Sequence, residues 1–376
     1  MARPGAWDGT TTEQPEQVNG VYQIANAKQL AWFAQKINAG GSRSLCAVLI
    51  SDIVINDAST SNEWTPIQDG ISGYGTAEED RCEYTGMFDG KGHTVYGLTA
   101  PLFGNADKGS MIKNVTVTGT ITGSTNVGAI CKTTYGNIES CVSYATITVD
   151  GKRTGGIAGL VYAGGSITNC INYGAITSTY ATPSLAPDAK EAYIGGIVGY
   201  AYVGVETCAN FGEVKATGDG ISCVGGIAGY ARVGYEAEAD SAYLLNCYNT
   251  GAVDFYYRTA AEKQYVGGLV GCFGDSYGTQ TLTMTGCYST GKISGDKADE
   301  ALMGALVGGT KSGTSNKVEV IAANAYYLEG TAAVSGVAAI TSSAVLSSYK
   351  KSCNALIFTT QSGSYIRRSS MPVRMP

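Results

Sequence analysis

The chain has 376 residues, of which 44% are apolar and 15% charged, so it can fill a core and is not a low-hydrophobicity disordered sequence. Its 52 glycines against 8 prolines show no Gly-X-Y period, which excludes collagen and leaves many turns between many short strands. The net charge of −6 excludes a nucleic-acid surface, since phosphate binding needs clustered Lys and Arg; the densest basic group, Arg367, Arg368 and Arg374, reads as solvated surface.

In chain order, Met1-Ala2-Arg3-Pro4-Gly5 opens on no apolar signal segment, so an export signal is expected outside this sequence. No apolar run is long enough to span a bilayer. Residues 1–19 read as a flexible N-terminal segment, and residues 20–100 as a cap helix followed by the first coils. The helix is predicted over residues 26–38, with Leu30, Phe33, Ala34 and Ile37 on one face, Asn26 as N-cap and Gly40-Gly41 closing it. Residues 48–55 and 94–98 read as early strands. The densest acids also lie here: Asp52, Asp57, Glu63, Asp69, Glu78, Glu79, Asp80 and Glu83. His93, the one histidine, sits beside Asp89, Gly90 and Gly92, where a tight turn explains His93 and Asp89 better than acid–base chemistry.

Residues 101–330 are repetitive. A Gly-framed phrase recurs as Gly155-Gly156-Ile157-Ala158-Gly159, Gly195-Gly196-Ile197-Val198-Gly199, Gly225-Gly226-Ile227-Ala228-Gly229 and Gly267-Gly268-Leu269-Val270-Gly271. A second phrase follows each: Asn169-Cys170-Ile171-Asn172-Tyr173-Gly174, Thr207-Cys208-Ala209-Asn210-Phe211-Gly212, Asn246-Cys247-Tyr248-Asn249-Thr250-Gly251 and Gly286-Cys287-Tyr288-Ser289-Thr290-Gly291. Each unit reads as roughly three short strands joined by corners where Gly supplies conformations closed to bulky residues. Units of unequal length suit an all-β parallel β-helix, whose insertions leave as loops; a β-propeller, with four strands per blade, is the competing architecture.

Cysteine spacing follows the same period. Cys141, Cys170, Cys208, Cys247 and Cys287 share one repeat position, continued by Ala325, and read as a reduced, buried structural ladder. With no C-x-x-C and a single histidine, no metal site or cofactor is expected. Tyrosines repeat too. Tyr200 and Tyr230 share one position with Tyr162 and Tyr202 nearby, and Tyr248, Tyr288 and Tyr326 share another. Such rows serve as cross-strand packing or as a glycan platform. Residues 331–376 read as a C-terminal cap, with a helix over residues 342–356 and a last strand or tether over 371–373.

Gly268-Leu269-Val270-Gly271 resembles the G-L-x-G phrase of GLUG-repeat proteins of bacterial surfaces and secretions. Similar features extend over residues 20–330: Gly20-Val21-Tyr22-Gln23-Ile24, then Trp64-Thr65-Pro66-Ile67, then Tyr84-Thr85-Gly86-Met87-Phe88-Asp89-Gly90-Lys91-Gly92-His93-Thr94-Val95. The resemblance implies a right-handed parallel β-helix on the bacterial exterior and supplies no catalytic residues. Similar repeats accompany some secreted proteases, but H-E-x-x-H cannot be built from one histidine. The expectation is therefore a non-catalytic structural or adhesive solenoid, binding glycan or a host or matrix protein through Tyr162, Tyr200, Tyr202, Tyr230 and variable loops. The alternative is a polysaccharide lyase or glycoside hydrolase built on the same helix.

Overall fold

The structure, a computed structural model, describes residues 5–40, 42–70, 83–180, 192–202, 204–218, 221–233, 241–256, 264–274, 280–295, 302–310, 318–323 and 325–327. The cap expected over residues 331–376, with its helix and last strand, lies outside the described residues.

Strands pair in parallel with strands one coil away. The fold is a right-handed parallel β-helix with a helical cap, not a propeller. One full coil runs through Asn137–Glu139, Val142–Ser143, Thr146–Val149, Arg153–Gly155 and Ala158–Val161, and Ser166–Thr168 starts the next. A coil thus has five strands where the repeats suggested three. Both recurrent phrases are corners with a strand on either side. A strand as short as Val142–Ser143 leaves no alternation to read.

We number these faces 1 to 5 in coil order. Face 1 is an eleven-stranded sheet, face 4 has six strands and face 5 seven. Faces 2 and 3 are one fourteen-stranded sheet, because strand Thr116–Gly123 pairs with Val142–Ser143 by its first half and with Thr146–Val149 by its second.

The core is a set of columns running along the axis. On face 1, Phe88, Ile112, Ile138, Ile167, Val205, Leu244 and Met284 stand in register, each fully or almost fully buried. Face 3 supplies Ile121, Ile147, Ile176, Val214 and Val253. Each such side chain contributes about 1.5–3 kcal/mol on burial, and every coil adds a similar layer.

The corners work differently from expectation. Between faces 1 and 2 the left-handed residue is Asn114, Ser140, Asn169, Thr207 and Asn246 in successive coils, with φ of 52°, 54°, 57°, 53° and 54°, and then Gly286. The Gly-framed phrases, by contrast, have no left-handed residue. Their last glycine lets two backbones touch: a Cβ on Gly159 would lie 2.6 Å from the Val127 nitrogen, and one on Gly271 2.6 Å from the Val224 nitrogen. Faces 4 and 5 are therefore pressed together.

Helix Ala27–Asn38 covers the N-terminal end, burying Leu30, Phe33, Ala34 and Ile37. Asn26 Oδ1 accepts the Gln29 N–H at 3.0 Å, and Gln29 Oε1 accepts the Ala25 N–H at 2.7 Å, closing a reciprocal cap. An exposed antiparallel strand, Glu16–Val18, covers the edge of Val21–Ile24. Residues 5–19, expected as a flexible lead-in, are tied to the first coils by Trp7. Its indole packs edge-on against Trp64 at 6.4 Å, and its backbone N–H donates to the Val54 carbonyl at 3.1 Å.

Candidate functional site: the aromatic columns

Most of the conspicuous polar chemistry points inward. Cys141, Cys170, Cys208, Cys247 and Cys287 are buried, unpaired thiols at successive face 1–2 corners. The backbone N–H of Cys141 donates to Cys170 Sγ at 3.5 Å, that of Cys170 to Cys208 Sγ at 3.4 Å, and that of Cys247 to Cys287 Sγ at 3.4 Å. Ala325, also buried, lies at the following corner. Burial pushes the thiols of Cys141, Cys208 and Cys287 well above the ordinary thiol range.

Two residues further on stands a ladder that the sequence reading passed over. Asn172 Nδ2 donates to Asn210 Oδ1 at 2.9 Å, and Asn210 Nδ2 to Asn249 Oδ1 at 2.8 Å. Each amide also donates to a carbonyl of its own corner: Gly174, Gly212 or Gly251. Ser143 and Ser289 end the column. The signal was one polar residue type recurring at a position flanked by apolar neighbours.

Asp52, Asp57, Asp69 and Asp89 are engaged one by one, while Glu83 is buried, its Oε2 accepting no hydrogen bond among the described residues. Asp89 Oδ1 accepts the Lys91 N–H at 2.9 Å and Asn114 Nδ2 at 3.0 Å. Burial pushes its carboxyl up, but those hydrogen bonds and the Lys91 charge outweigh it and hold it below the usual range. His93 Nδ1 lies 3.3 Å from Asp52 Oδ1, at the surface. Asp57 binds Ser59 and Thr60 of its own loop, and Asp69 pairs with Lys132. Glu78, Glu79 and Asp80 lie outside the described residues. Among the described residues, no three His, Cys, Asp or Glu side chains are placed to hold a metal ion.

Aromatic side chains form two outward columns. The first lines the seam of faces 4 and 5. Tyr200 and Tyr230 are in register, with ring centroids 4.9 Å apart, and Tyr193 of face 4 packs on both at 5.1 and 4.9 Å. Tyr202 stacks on Tyr200 at 4.7 Å, Tyr162 on Tyr202 at 5.3 Å and Tyr135 on Tyr162 at 4.3 Å. The Arg232 guanidinium lies 5.0 Å over Tyr202 and donates to the Tyr200 hydroxyl at 3.3 Å, while Arg153 lies 5.4 Å over Tyr200. Tyr200 and Tyr230 are only 6% and 4% exposed, so their rings are packing surface; Tyr162 and Tyr202 are the half-buried members of the four. Burial holds the Tyr200 phenol far above its ordinary value.

A second column stands on face 2. Tyr144 stacks on Tyr173 at 4.7 Å and Tyr173 on Phe211 at 4.8 Å, each within 7° of parallel. Tyr248 packs edge-on to Phe211 at 5.5 Å and stacks on Tyr288 at 4.9 Å. The backbone of Tyr326 pairs in register with that of Tyr288.

No family model matches the chain. It is 31% identical over 133 residues, 32% of its length, to Halomucin of Haloquadratum walsbyi, and that match spans 1% of the length of this curated relative. Among solved structures it is similar to a putative immunoglobulin A1 protease from Bacteroides ovatus, with TM-score 0.46 and 21% identity over 72% of this chain and 88% of that one. It is also similar to a structure described as IgA1 Protease, with TM-score 0.47 and 20% identity over 82% of this chain and 22% of that one. No helix among the described residues is long and apolar enough to cross a membrane.

Proposed function

We propose that the chain is a non-catalytic structural and adhesive solenoid of the GLUG-repeat class, displayed on the bacterial exterior. It presents glycan or host and matrix ligands through its aromatic columns and variable loops. One observation carries this reading: the groups most suggestive of chemistry are committed to contacts between coils. The cysteines bond from corner to corner, the asparagines form a ladder, and Asp89 holds its turn and reaches Asn114 of the next coil. Length, in turn, varies where it disturbs no column. Faces 3 and 4 are joined by three residues after Val149 but by thirteen after Ser178, and a stack tolerates such insertions. In this reading residues 101–330 form the presenting stalk, and residues 20–100 close its N-terminal end.

The purified chain should be screened against arrayed glycans, collagen, fibronectin and laminin, with polysaccharide digestion followed in parallel. Saturable binding without release of products supports the reading, and depolymerisation of any polysaccharide overturns its non-catalytic part.

A further inference from the structure

Outward side chains of faces 4 and 5 meet in pairs across their seam, and one glycine per coil sets each pair. A Cβ on Gly199 would run into the Thr154 nitrogen, one on Gly229 into the Ile194 nitrogen and one on Gly308 into the Val266 nitrogen, while one on Gly271 would lie 2.6 Å from the Val224 nitrogen. Each contact sets the residue after the glycine beside the residue before its partner, one coil back. The pairs are therefore Arg153 with Tyr200, Tyr193 with Tyr230, Tyr265 with Gly309, and Cys223 with Cys272. Three of them are seen directly. Arg153 lies 5.4 Å over the Tyr200 ring, the Tyr193 and Tyr230 rings are 4.9 Å apart, and a Cβ on Gly309 would run into Tyr265 Cδ1. Cβ atoms of a facing pair thus stand about 4–5 Å apart, overlapping the range that a disulfide spans.

Register holds on both walls at this pair. Cys223 pairs with Tyr193 and Tyr265, and Cys272 with Tyr230 and Gly309; the irregularity in Ile221–Gly225 falls before Cys223. Both cysteines are fully buried, in the cluster that Tyr193, Tyr200 and Tyr230 also form. The sulfur of Cys223 makes no hydrogen bond among the described residues. In the face 1–2 column, by contrast, each thiol donates to the carbonyl two residues before it, that of Glu139, Thr168, Glu206, Leu245 or Thr285. Column thiols lie side by side along the axis, each tied to backbone, whereas the two seam thiols confront one another.

We infer that Cys223 and Cys272 are a disulfide site, closed by oxidation, that staples face 4 of one coil to face 5 of the next. Both are thiols in this structure. In the cell the bridge rests on the exterior setting proposed above, where disulfides persist; it does not depend on what the solenoid binds. The oxidant is another disulfide, such as that of oxidised glutathione. One cysteine gives its proton to water, and its thiolate attacks that disulfide and expels one glutathione thiolate. The second cysteine, likewise deprotonated, attacks the mixed disulfide, forms the Cys223–Cys272 bond and expels the other. Two electrons pass to the oxidant, and the two departing thiolates take up two protons. Neither sulfur is exposed, so the exchange belongs to folding, before the seam closes.

The test is refolding of the whole chain from urea in a glutathione redox buffer, followed by alkylation and peptide mapping without reduction. The tryptic peptide of residues 216–232 should be joined to that of residues 264–292 and be lighter by two hydrogens. Cys287 shares the second peptide, so fragmentation assigns the bridge to Cys272 or to Cys287. Cys141, Cys170, Cys208, Cys247 and Cys287 should all be recovered alkylated. The bridged chain should melt about 5 °C or more above the same chain refolded under reductant, since a bridge restricts the unfolded chain. Cys223→Ala should melt alike in both buffers. The site is overturned if Cys223 and Cys272 are recovered alkylated, if either is joined to another cysteine, or if bridged and reduced chains melt together. Mapping of the parent decides the matter even if Cys223→Ala fails to fold. Alkylated Cys223 and Cys272 after oxidative refolding would remove the bridge and leave the adhesive reading standing.

Discussion

Gly196 and Asn210 occupy one another's space. A Cβ on Gly196 would run into Asn210 Cγ and the Gly226 carbonyl, and the same relation joins Gly156 to Asn172 and Gly226 to Asn249. The two recurrent phrases are thus the two sides of one contact, in which glycine leaves the room that the buried amide ladder fills. In the last such coil Gly268 faces the smaller Ser289.

Gly196→Ala should therefore destabilise by overpacking, by about 2–3 kcal/mol. The reason is space and not backbone conformation, since Gly196 is outside the left-handed region. Asn210→Ala should cost about 2–4 kcal/mol, because it leaves Asn249 Oδ1 buried without its donor and opens a gap. Urea titrations of the single and double variants measure the coupling. Strict additivity would mean that the two residues do not share this space.

Thr207 is a β-branched residue at φ 53°, a conformation that costs roughly 1–2 kcal/mol and that asparagine adopts more readily. One coil back, Asn169 Nδ2 donates to Ser140 Oγ at 2.8 Å, while Asn169 Oδ1 is buried without a partner. Thr207→Asn relieves the strain and supplies the absent donor, extending the outer ladder by one rung. It should raise stability by about 1–2 kcal/mol, and Thr207→Gly, which relieves the strain alone, by less. A Tm below that of the parent for Thr207→Asn would count against the argument.

The solenoid was legible because each coil must place the same kind of side chain in the same column. Period, glycines and cysteines therefore repeat together. Helix Ala27–Asn38 was legible from its apolar stripe and Asn26 cap. The number of faces was not, since two-residue strands such as Ile171–Asn172 carry no period. The role of the glycines was misread because close approach and left-handed turning look the same in a sequence; at the corners between faces 1 and 2 the left-handed positions are Asn114, Ser140, Asn169, Thr207, Asn246 and Gly286. The tyrosines mislead for a related reason. Tyr200 and Tyr144 are both outward, yet one is covered by Tyr193, Tyr202 and Tyr230 and the other is not, and that depends on how tightly faces 4 and 5 fold together.

Thiol reactivity should divide the cysteines sharply. Of the nine described, eight are buried and Cys46 is half-buried; thiolate formation in the buried column is opposed by desolvation. With Cys82 and Cys353 replaced by serine, a thiol reagent should modify one group quickly in the native protein and the remainder only on unfolding. Fast native modification at Cys208 would contradict a packed corner column.

Asp89 gives the acid side of the stability profile. Its folded value is depressed below 3.8, so its contribution is fully present above pH 3.8 and is lost as the pH falls through the lower folded value. Asp89→Asn should cost about 1.5–3 kcal/mol at pH 7, through weaker bonds to Asn114 and the Lys91 N–H. The difference from the parent should shrink below about pH 4. Urea midpoints measured from pH 7 to pH 3 give the comparison; a constant difference would remove Asp89 from the account.

Tyr200 gives the alkaline side. Burial raises its phenol far above the unfolded value of 10.0, although the Arg232 guanidinium works in the opposite direction. A raised folded value means the contribution is intact below pH 10 and is lost as the pH climbs from there toward the folded value. Tyr200→Phe keeps the ring that stacks on Tyr202 and meets Tyr230 edge-on but removes the ionisable group. It should lose about 1 kcal/mol at pH 7 with the Arg232 hydrogen bond. Above pH 10 its stability should fall less steeply than the parent's. Tyr200→Ala instead removes the ring from a packed cluster and should cost about 3 kcal/mol or more at every pH. If both variants tracked the parent between pH 9 and pH 11, Tyr200 would be an exposed phenol, and its place in the packed seam of faces 4 and 5 would be wrong.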